Sequence, residues 1–131
     1  MSTSQHWDDQ TFWATPRAYD ALDLFNLDFS LKVEFVDPEP GPFVDAIAHA
    51  HYYAAPFVRW QGRIYISKLW WTRMTLAERE EVVMHEAGHV VTDALYGKAL
   101  DPHGVQWQSV MQRLGYPARE FIPLEWDKRN K

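Results

Sequence analysis

The chain has 131 residues, of which 47% are hydrophobic and 15% aromatic, so it can form one domain with a packed core but not two. It contains no cysteine, which excludes disulfide frameworks and every cysteine-based metal site or nucleophile. Its net charge of −5 offers no global electrostatic reason to bind nucleic acid, because such binding depends largely on Lys and Arg at the phosphates.

The N-terminal segment has no charged region followed by an apolar run, and no stretch approaches the length of a membrane span. We therefore expect a cytoplasmic protein without a membrane-spanning segment. The predicted organisation is a flexible N-terminus over residues 1–14, one domain over residues 15–126 and a short tail over residues 127–131.

The first half of the chain predicts one helix followed by short strands. Thr15-Pro16 is a typical helix start, and the apolar periodicity continues to about residue 27. Alternating residues 30–35 predict a strand that ends at the proline-rich segment 37–42. Residues 46–53 are compatible with a strand or a short helix, and we favour a second strand. Residues 57–60 and 63–66 flank Gln61-Gly62, which predicts a β-hairpin.

The second half predicts two helices. Thr75 and Glu78 fit a capping box, and the helix that they start is expected to run to Tyr96, with Gly97 as its stop. Gly88 lies in the middle of this helix, which indicates close approach by a neighbouring backbone. A further helix is expected to begin near residue 103 or 104 and to end at residue 115.

The sequence His85-Glu86-Ala87-Gly88-His89 carries the strongest chemical signal in the chain. On a helix, His85 and His89 share one face with Cβ atoms roughly 5–6 Å apart, so both imidazoles can reach one metal ion. Glu86 lies one position round the helix, where its carboxylate can take a proton from water beside the metal without being a ligand. The motif predicts two ligands and a general base for a zinc-dependent hydrolase.

A catalytic zinc needs a third protein ligand and one open position. His103 is the first candidate for that ligand. The metzincin pattern requires Gly and His where this chain has Thr92 and Leu95, so that class is excluded. Three carboxylates remain open as alternative third ligands: Asp101, Glu120 and Glu125.

The segment from Gly62 to Ala118 resembles the SprT family, which includes the Spartan-type DNA-dependent proteases. The resemblance is carried by a strand over residues 63–67, the motif at residues 85–89, the sequence His103-Gly104-x-x-Trp107, and residues 114–118. With the predicted elements, it implies a small single α+β domain of the zincin type. That fold has an N-terminal helix, a short antiparallel or mixed sheet of about three strands, a long helix with the motif and a C-terminal helix.

The resemblance also implies the chemistry of the site. By it, His85, His89 and His103 are zinc ligands and Glu86 is the catalytic glutamate of an endopeptidase acting on unfolded or DNA-associated proteins, with activity gated by DNA or a partner. Many relatives carry a cysteine-bound zinc ribbon after the catalytic domain, and this chain has no cysteine to form one. The alternative function is a non-catalytic zinc-binding module of the same fold that binds a protein or DNA partner.

Several further residues are weaker candidates. Asp93 follows His89 by four residues and could hold its imidazole or simply face solvent. Residues 63–67 are either core strand or an edge strand that pairs with an extended substrate. His49 and His51 share a predicted strand face, where core or surface roles are more common than metal binding. Three tyrosines are candidates to stabilise an oxyanion, and no spacing selects among them: Tyr65, Tyr96 and Tyr116.

Overall fold

The computed structural model describes residues 3–37, 48–55, 58–98 and 101–126. These residues form four helices and a three-stranded mixed sheet, which confirms the predicted small single α+β domain. The elements in chain order are α1 (Thr3–Leu24), β1 (Ser30–Val36), β2 (Ala48–Ala55), β3 (Val58–Ser67), α2 (Lys68–Thr72), α3 (Leu76–Tyr96) and α4 (Val105–Leu114). Among the described helices, none combines the length and apolar character needed to cross a bilayer.

The sheet has the order β1-β3-β2, with β1 parallel and β2 antiparallel to the central strand β3. One face of the sheet contributes apolar side chains to the core, on which α1 and α3 also pack. The most buried members of that face are Leu31, Val33, Ile64 and Ile66. The predicted strands over residues 30–35 and 46–53 are confirmed over the described residues, whereas residues 46–47 lie outside them.

The hairpin predicted around Gln61-Gly62 is wrong, because β3 runs without interruption through both residues. The antiparallel partner of β3 is β2, in which Tyr52 pairs with Gly62. Gly62 is needed for packing rather than for a turn. A Cβ atom at this position would lie 2.7 Å from Cγ1 of Val90 in α3, and glycine in a strand often marks such close approach.

The central position of β3 also corrects the suggestion that residues 63–67 form an edge strand open to a substrate. Residues 63–67 pair with β1 on one side, and residues 63–66 also pair with β2 on the other. An added peptide strand needs unpaired main-chain groups. In the described sheet, β2 and β1 are the outer strands, and β2 is the one that packs against α3.

The first helix begins at Thr3 rather than at Thr15, so residues 3–14, expected to be a flexible segment, form its first half. Pro16 lies inside α1, where a proline costs about 3 kcal/mol or more because one helical hydrogen bond is lost. Packing of the preceding residues offsets this cost. The ring of Trp7 packs against that of Phe35, and the ring of Trp13 against that of Trp71.

The helices around the site begin and end where local signals predict. The capping box of Thr75 and Glu78 starts α3, and Gly97 ends it. Gly115 ends α4 in the left-handed conformation with φ 84°, which glycine adopts without strain. The short helix α2 was not predicted; its N-cap is Ser67, whose hydroxyl accepts a hydrogen bond from the Trp70 amide.

Candidate metal centre

Two of the predicted ligands come from the buried middle of α3. His85 and His89 lie one helical turn apart, and their Nε2 atoms are 3.2 Å from each other. The helix is buried almost continuously from Glu81 to Val91, so its backbone is held by core packing on several sides. A rigid helix of this kind places both imidazoles with little freedom.

The third predicted ligand reaches the same point from the loop before α4. The Nε2 atom of His103 lies 3.1 Å from that of His89 and 3.4 Å from that of His85. The backbone around His103 is held on both sides, because its amide donates to the Asp101 carboxylate and its carbonyl accepts from the Gln108 side chain. The structure therefore brings all three predicted histidines together.

Trp107 forms the floor of this cluster. Its indole is almost fully buried and lies 4.9 Å from the ring centroid of His85, 5.2 Å from that of His89 and 4.9 Å from that of His103. The ring nitrogen donates to the His85 carbonyl at 3.4 Å. The sequence places Trp107 in the motif that follows His103, but it does not predict the contact of this side chain with every imidazole. It excludes water from one side of the cluster and restricts the rotamers of the histidines.

Gly88 allows α4 to pack closely against α3 at this level. A Cβ atom there would lie 2.5 Å from Sδ of Met111 and 3.2 Å from Nε1 of Trp107. The close neighbours are thus side chains, which corrects the expectation of a neighbouring backbone.

We expect Gly88→Ala to lower the thermal midpoint and to weaken metal binding. Alanine gains about 1 kcal/mol in helix propensity, but overpacking of a core costs typically 1–3 kcal/mol and would displace Trp107 from the imidazoles. The matched control is Gly88→Ala in a Met111→Ala background, where the clash is relieved. Thermal unfolding of the four proteins measures the coupling; equal effects of Gly88→Ala in both backgrounds would contradict this account.

His85 and His89 are held in the neutral form that binds metals. Burial, together with the neighbouring His103, lowers the pKa of His85 to about 4 despite the opposing charge of Glu81. Burial and the other two imidazoles lower the pKa of His89 to about 3. Neutral imidazole is the metal-binding form of histidine, so protons compete with a metal at these two nitrogens only in acid.

Glu86 is a buried carboxyl group beside the cluster. One of its oxygens lies 3.9 Å from Nε2 of His85, close to the ligand nitrogens but outside their triangle. Burial raises the pKa of Glu86 to about 8. Near neutral pH both partners of this contact are therefore uncharged without a metal, and the contact is not an ion pair.

The three Nε2 atoms of the cluster lack enough hydrogen-bond partners within the protein. Each Nε2 atom lies within 3.4 Å of the other two, but a neutral imidazole nitrogen either carries one proton or presents one lone pair. Three such atoms cannot all be satisfied by hydrogen bonds to one another. A cation between them would accept all three lone pairs, so His85, His89 and His103 could hold a metal ion.

The alternative ligands occupy other positions. The Glu120 carboxylate lies 3.7 Å from Nδ1 of His103, the nitrogen not used toward the other histidines. Asp101 is engaged with the His103 backbone amide, and the Glu125 backbone amide donates to Glu78 near the start of α3. In the described part of the chain, the one group of three or more convergent potential ligands consists of the three histidines.

The remaining candidates are placed as follows. Asp93 is half-buried, and burial raises its pKa. Tyr116 donates its hydroxyl to Glu80 at 2.8 Å, whereas Tyr65 stacks on His49 on the face of the sheet away from the core. Tyr96 is exposed at the end of α3. The roles suggested for these residues stay predictions.

The shifted pKa values predict how the stability of the metal-free protein depends on pH. Below the ordinary histidine pKa of 6.5, the unfolded chain binds protons that native His85 and His89 do not, so the free energy of unfolding falls toward acid. Glu86 acts in the opposite direction. Its pKa rises from 4.5 to about 8 on folding, so stability falls as the pH rises through this window.

We therefore expect the stability of the metal-free protein to be greatest at about pH 6.5, where the two effects balance. Urea unfolding in a chelator from pH 4 to 9 measures this profile. Glu86→Gln removes the titrating carboxyl, so it should flatten the alkaline side and steepen the fall in stability between pH 6.5 and 4.5, where Glu86 opposes the two histidines. Stability that rises steadily from neutral to pH 9 in the wild type would contradict the burial of Glu86 as a neutral acid.

Comparison with known proteins agrees with these features. A sequence model of the SprT-like family matches residues 46–125, more than half of the chain, and the matched region contains all three histidines and Glu86. No solved structure matches the chain.

Proposed function

The chain belongs to the SprT-like family, and we propose that it is a zinc-dependent endopeptidase with His85, His89 and His103 as ligands and Glu86 as general base and acid. The main support for the proposal is that three imidazole nitrogens converge within 3.4 Å of one another beside a buried carboxyl group. A purely structural site has no use for the carboxyl group, because burying it unpaired costs free energy.

The spacing of the ligand nitrogens supports zinc as the metal. Around a tetrahedral zinc ion with Zn–N distances of 2.0–2.1 Å, ligand nitrogens lie about 3.3 Å apart. The Nε2 separations of 3.1, 3.2 and 3.4 Å fit one triangular face of such a tetrahedron. Three protein ligands leave one position open, as in catalytic rather than structural zinc sites.

A zinc ion held by His85, His89 and His103 would lower the pKa of a bound water molecule and would act as a Lewis acid on the scissile carbonyl. Glu86 accepts the proton of the attacking water and later donates it to the leaving amine. Its burial favours the protonated form, which suits the second step, and a nearby cation favours the carboxylate, which suits the first. Trp107 keeps the imidazoles in place and shields one side of the cluster from water.

The outer strand β2 is where we place an extended substrate. It pairs with β3 on one side only within the described sheet and lies along α3, which carries the site. A peptide added at this edge would be held by main-chain hydrogen bonds with little side-chain selectivity. This favours unfolded segments as substrates.

The cellular setting is proposed from the resemblance alone. Unfolded or DNA-associated proteins are the proposed substrates, in the cytoplasm, with activity gated by DNA or a partner protein. The net charge of −5 gives DNA binding no support.

The test is a gel assay of zinc-loaded protein on casein, with self-cleavage recorded, in the presence and absence of single-stranded DNA. We expect cleavage that a chelator stops. A difference between the two conditions would show whether DNA gates the activity. A chain that binds one zinc ion but cleaves nothing in either condition would favour the alternative, a non-catalytic module that binds a protein or DNA partner.

A further inference from the structure

The segment after α4 returns to α3 and is fastened to it at several points. Arg119 donates two hydrogen bonds to the Glu81 carboxylate, at 2.7 and 2.6 Å. The Tyr116 hydroxyl donates to Glu80 at 2.8 Å, and the backbone amide of Glu125 donates to the Glu78 carboxylate at 2.9 Å. We call residues 116–126 the return segment. All three partners lie on α3 before His85, so the segment is held beside the metal centre.

The strongest of these contacts adjoins the site directly. Glu81 is buried and precedes His85 by one helical turn, and its pairing with Arg119 is bidentate, the geometry that adds direction as well as energy. Leu124, almost fully buried, anchors the segment further along. The backbone between these two anchors therefore has a defined path past the histidines.

That path brings Glu120 to His103. The Glu120 carboxylate lies 3.7 Å from Nδ1 of His103, while Nε2 of the same ring faces His85 and His89. His103 is the ligand with the greatest need for such support, because it precedes α4 instead of lying on a helix. Its backbone is held, but those bonds do not determine the rotation of its ring.

We propose that Glu120 is a positioning residue for His103. Its carboxylate faces Nδ1 at 3.7 Å, so its negative charge favours the tautomer with the proton on Nδ1 and the lone pair on Nε2. A small side-chain movement to hydrogen-bond distance would hold the ring with Nε2 toward the metal. Carboxylates commonly play this part for metal-bound histidines, and their loss typically costs 10–100-fold in metal affinity or activity. The inference rests on the proposed zinc role of His103, and it gives Glu120 a function other than that of a third ligand.

The test compares zinc affinity of the wild type, Glu120→Gln and the matched control Glu125→Gln by competition with a chromophoric chelator. Glu125 lies in the same return segment and carries the same charge. We expect Glu120→Gln to weaken zinc binding about 10-fold, at the lower end of the usual range because its side chain is 59% exposed. Glu125→Gln should bind zinc like the wild type, and the thermal midpoint of metal-free Glu120→Gln should agree with that of the metal-free wild type.

A second readout separates positioning from a general loss of charge. Cobalt(II) in place of zinc reports ligand geometry through its visible absorption bands, and we expect these bands to shift in Glu120→Gln but not in Glu125→Gln. Equal zinc affinity and identical cobalt spectra for Glu120→Gln and the wild type would overturn the inference and leave the proposed function intact. A wild-type chain that binds no zinc would overturn both.

Discussion

Glu86→Gln is expected to abolish detectable peptide cleavage while the protein still binds one zinc ion per chain. Glutamine has nearly the same shape and can occupy the buried position, but it cannot accept a proton from water. A positioned general acid or base contributes typically 10²–10⁴-fold to a rate, and a loss at the upper end is expected because Glu86 is assigned both proton transfers. The free energy of unfolding should not fall, because the variant removes a buried ionisable group.

The measurement is the rate at which zinc-loaded enzyme produces new termini from casein, alongside zinc content by mass spectrometry. Glu80→Gln serves as the matched control, since it changes a carboxylate on the same helix that contacts Tyr116 rather than the metal centre. Full activity in Glu86→Gln with normal zinc content would show that another group moves the proton.

His103→Ala is expected to have the largest effect on zinc affinity. It leaves His85 and His89 as a pair of nitrogen ligands, so the loss should exceed the 10–100-fold that follows removal of an outer partner. The metal-free protein should keep its fold, because the three nitrogens do not satisfy one another and the His103 side chain is outside the hydrophobic core.

Glu120→Ala distinguishes this site from one with a carboxylate as third ligand. If Glu120 were the ligand, His103→Ala would leave zinc stoichiometry unchanged and Glu120→Ala would reduce it. With His103 as the third ligand, we expect the opposite result. His103→Ala should lose zinc at micromolar concentrations, whereas Glu120→Ala should retain it with weaker affinity. Equilibrium dialysis against buffered zinc measures both variants.

Much of the histidine cluster could be predicted from sequence because its main signals are local. The separation of His85 and His89 by four residues places them on one helix face whatever surrounds the helix. The capping box at Thr75 and the stop at Gly97 are equally local, and both are confirmed. His103 is different, since no local rule brings it to α3, and its assignment depended on the family's motif.

The sequence-based predictions that are wrong concern features that depend on tertiary packing. Pro16 favours a helix start, but aromatic contacts of Trp7 and Trp13 extend α1 back to Thr3. Gln61-Gly62 favours a turn, but close packing of Val90 on Gly62 keeps it in the central strand. The position of Glu120 beside His103 depends on the anchoring of Arg119 to Glu81, a contact between distant parts of the chain. Neither hydrophobic periodicity nor motif spacing in the sequence predicts such contacts.

Mass spectrometry of casein incubated with the purified protein tests whether this chain is a zinc-dependent peptidase. Three conditions are compared: the zinc-loaded protein, the same protein after chelation, and the chelated protein after one equivalent of zinc is restored. We predict new peptide termini in the first and third conditions and none in the second. Cleavage that persists after the metal is removed, or intact casein in all three conditions, would contradict the claim.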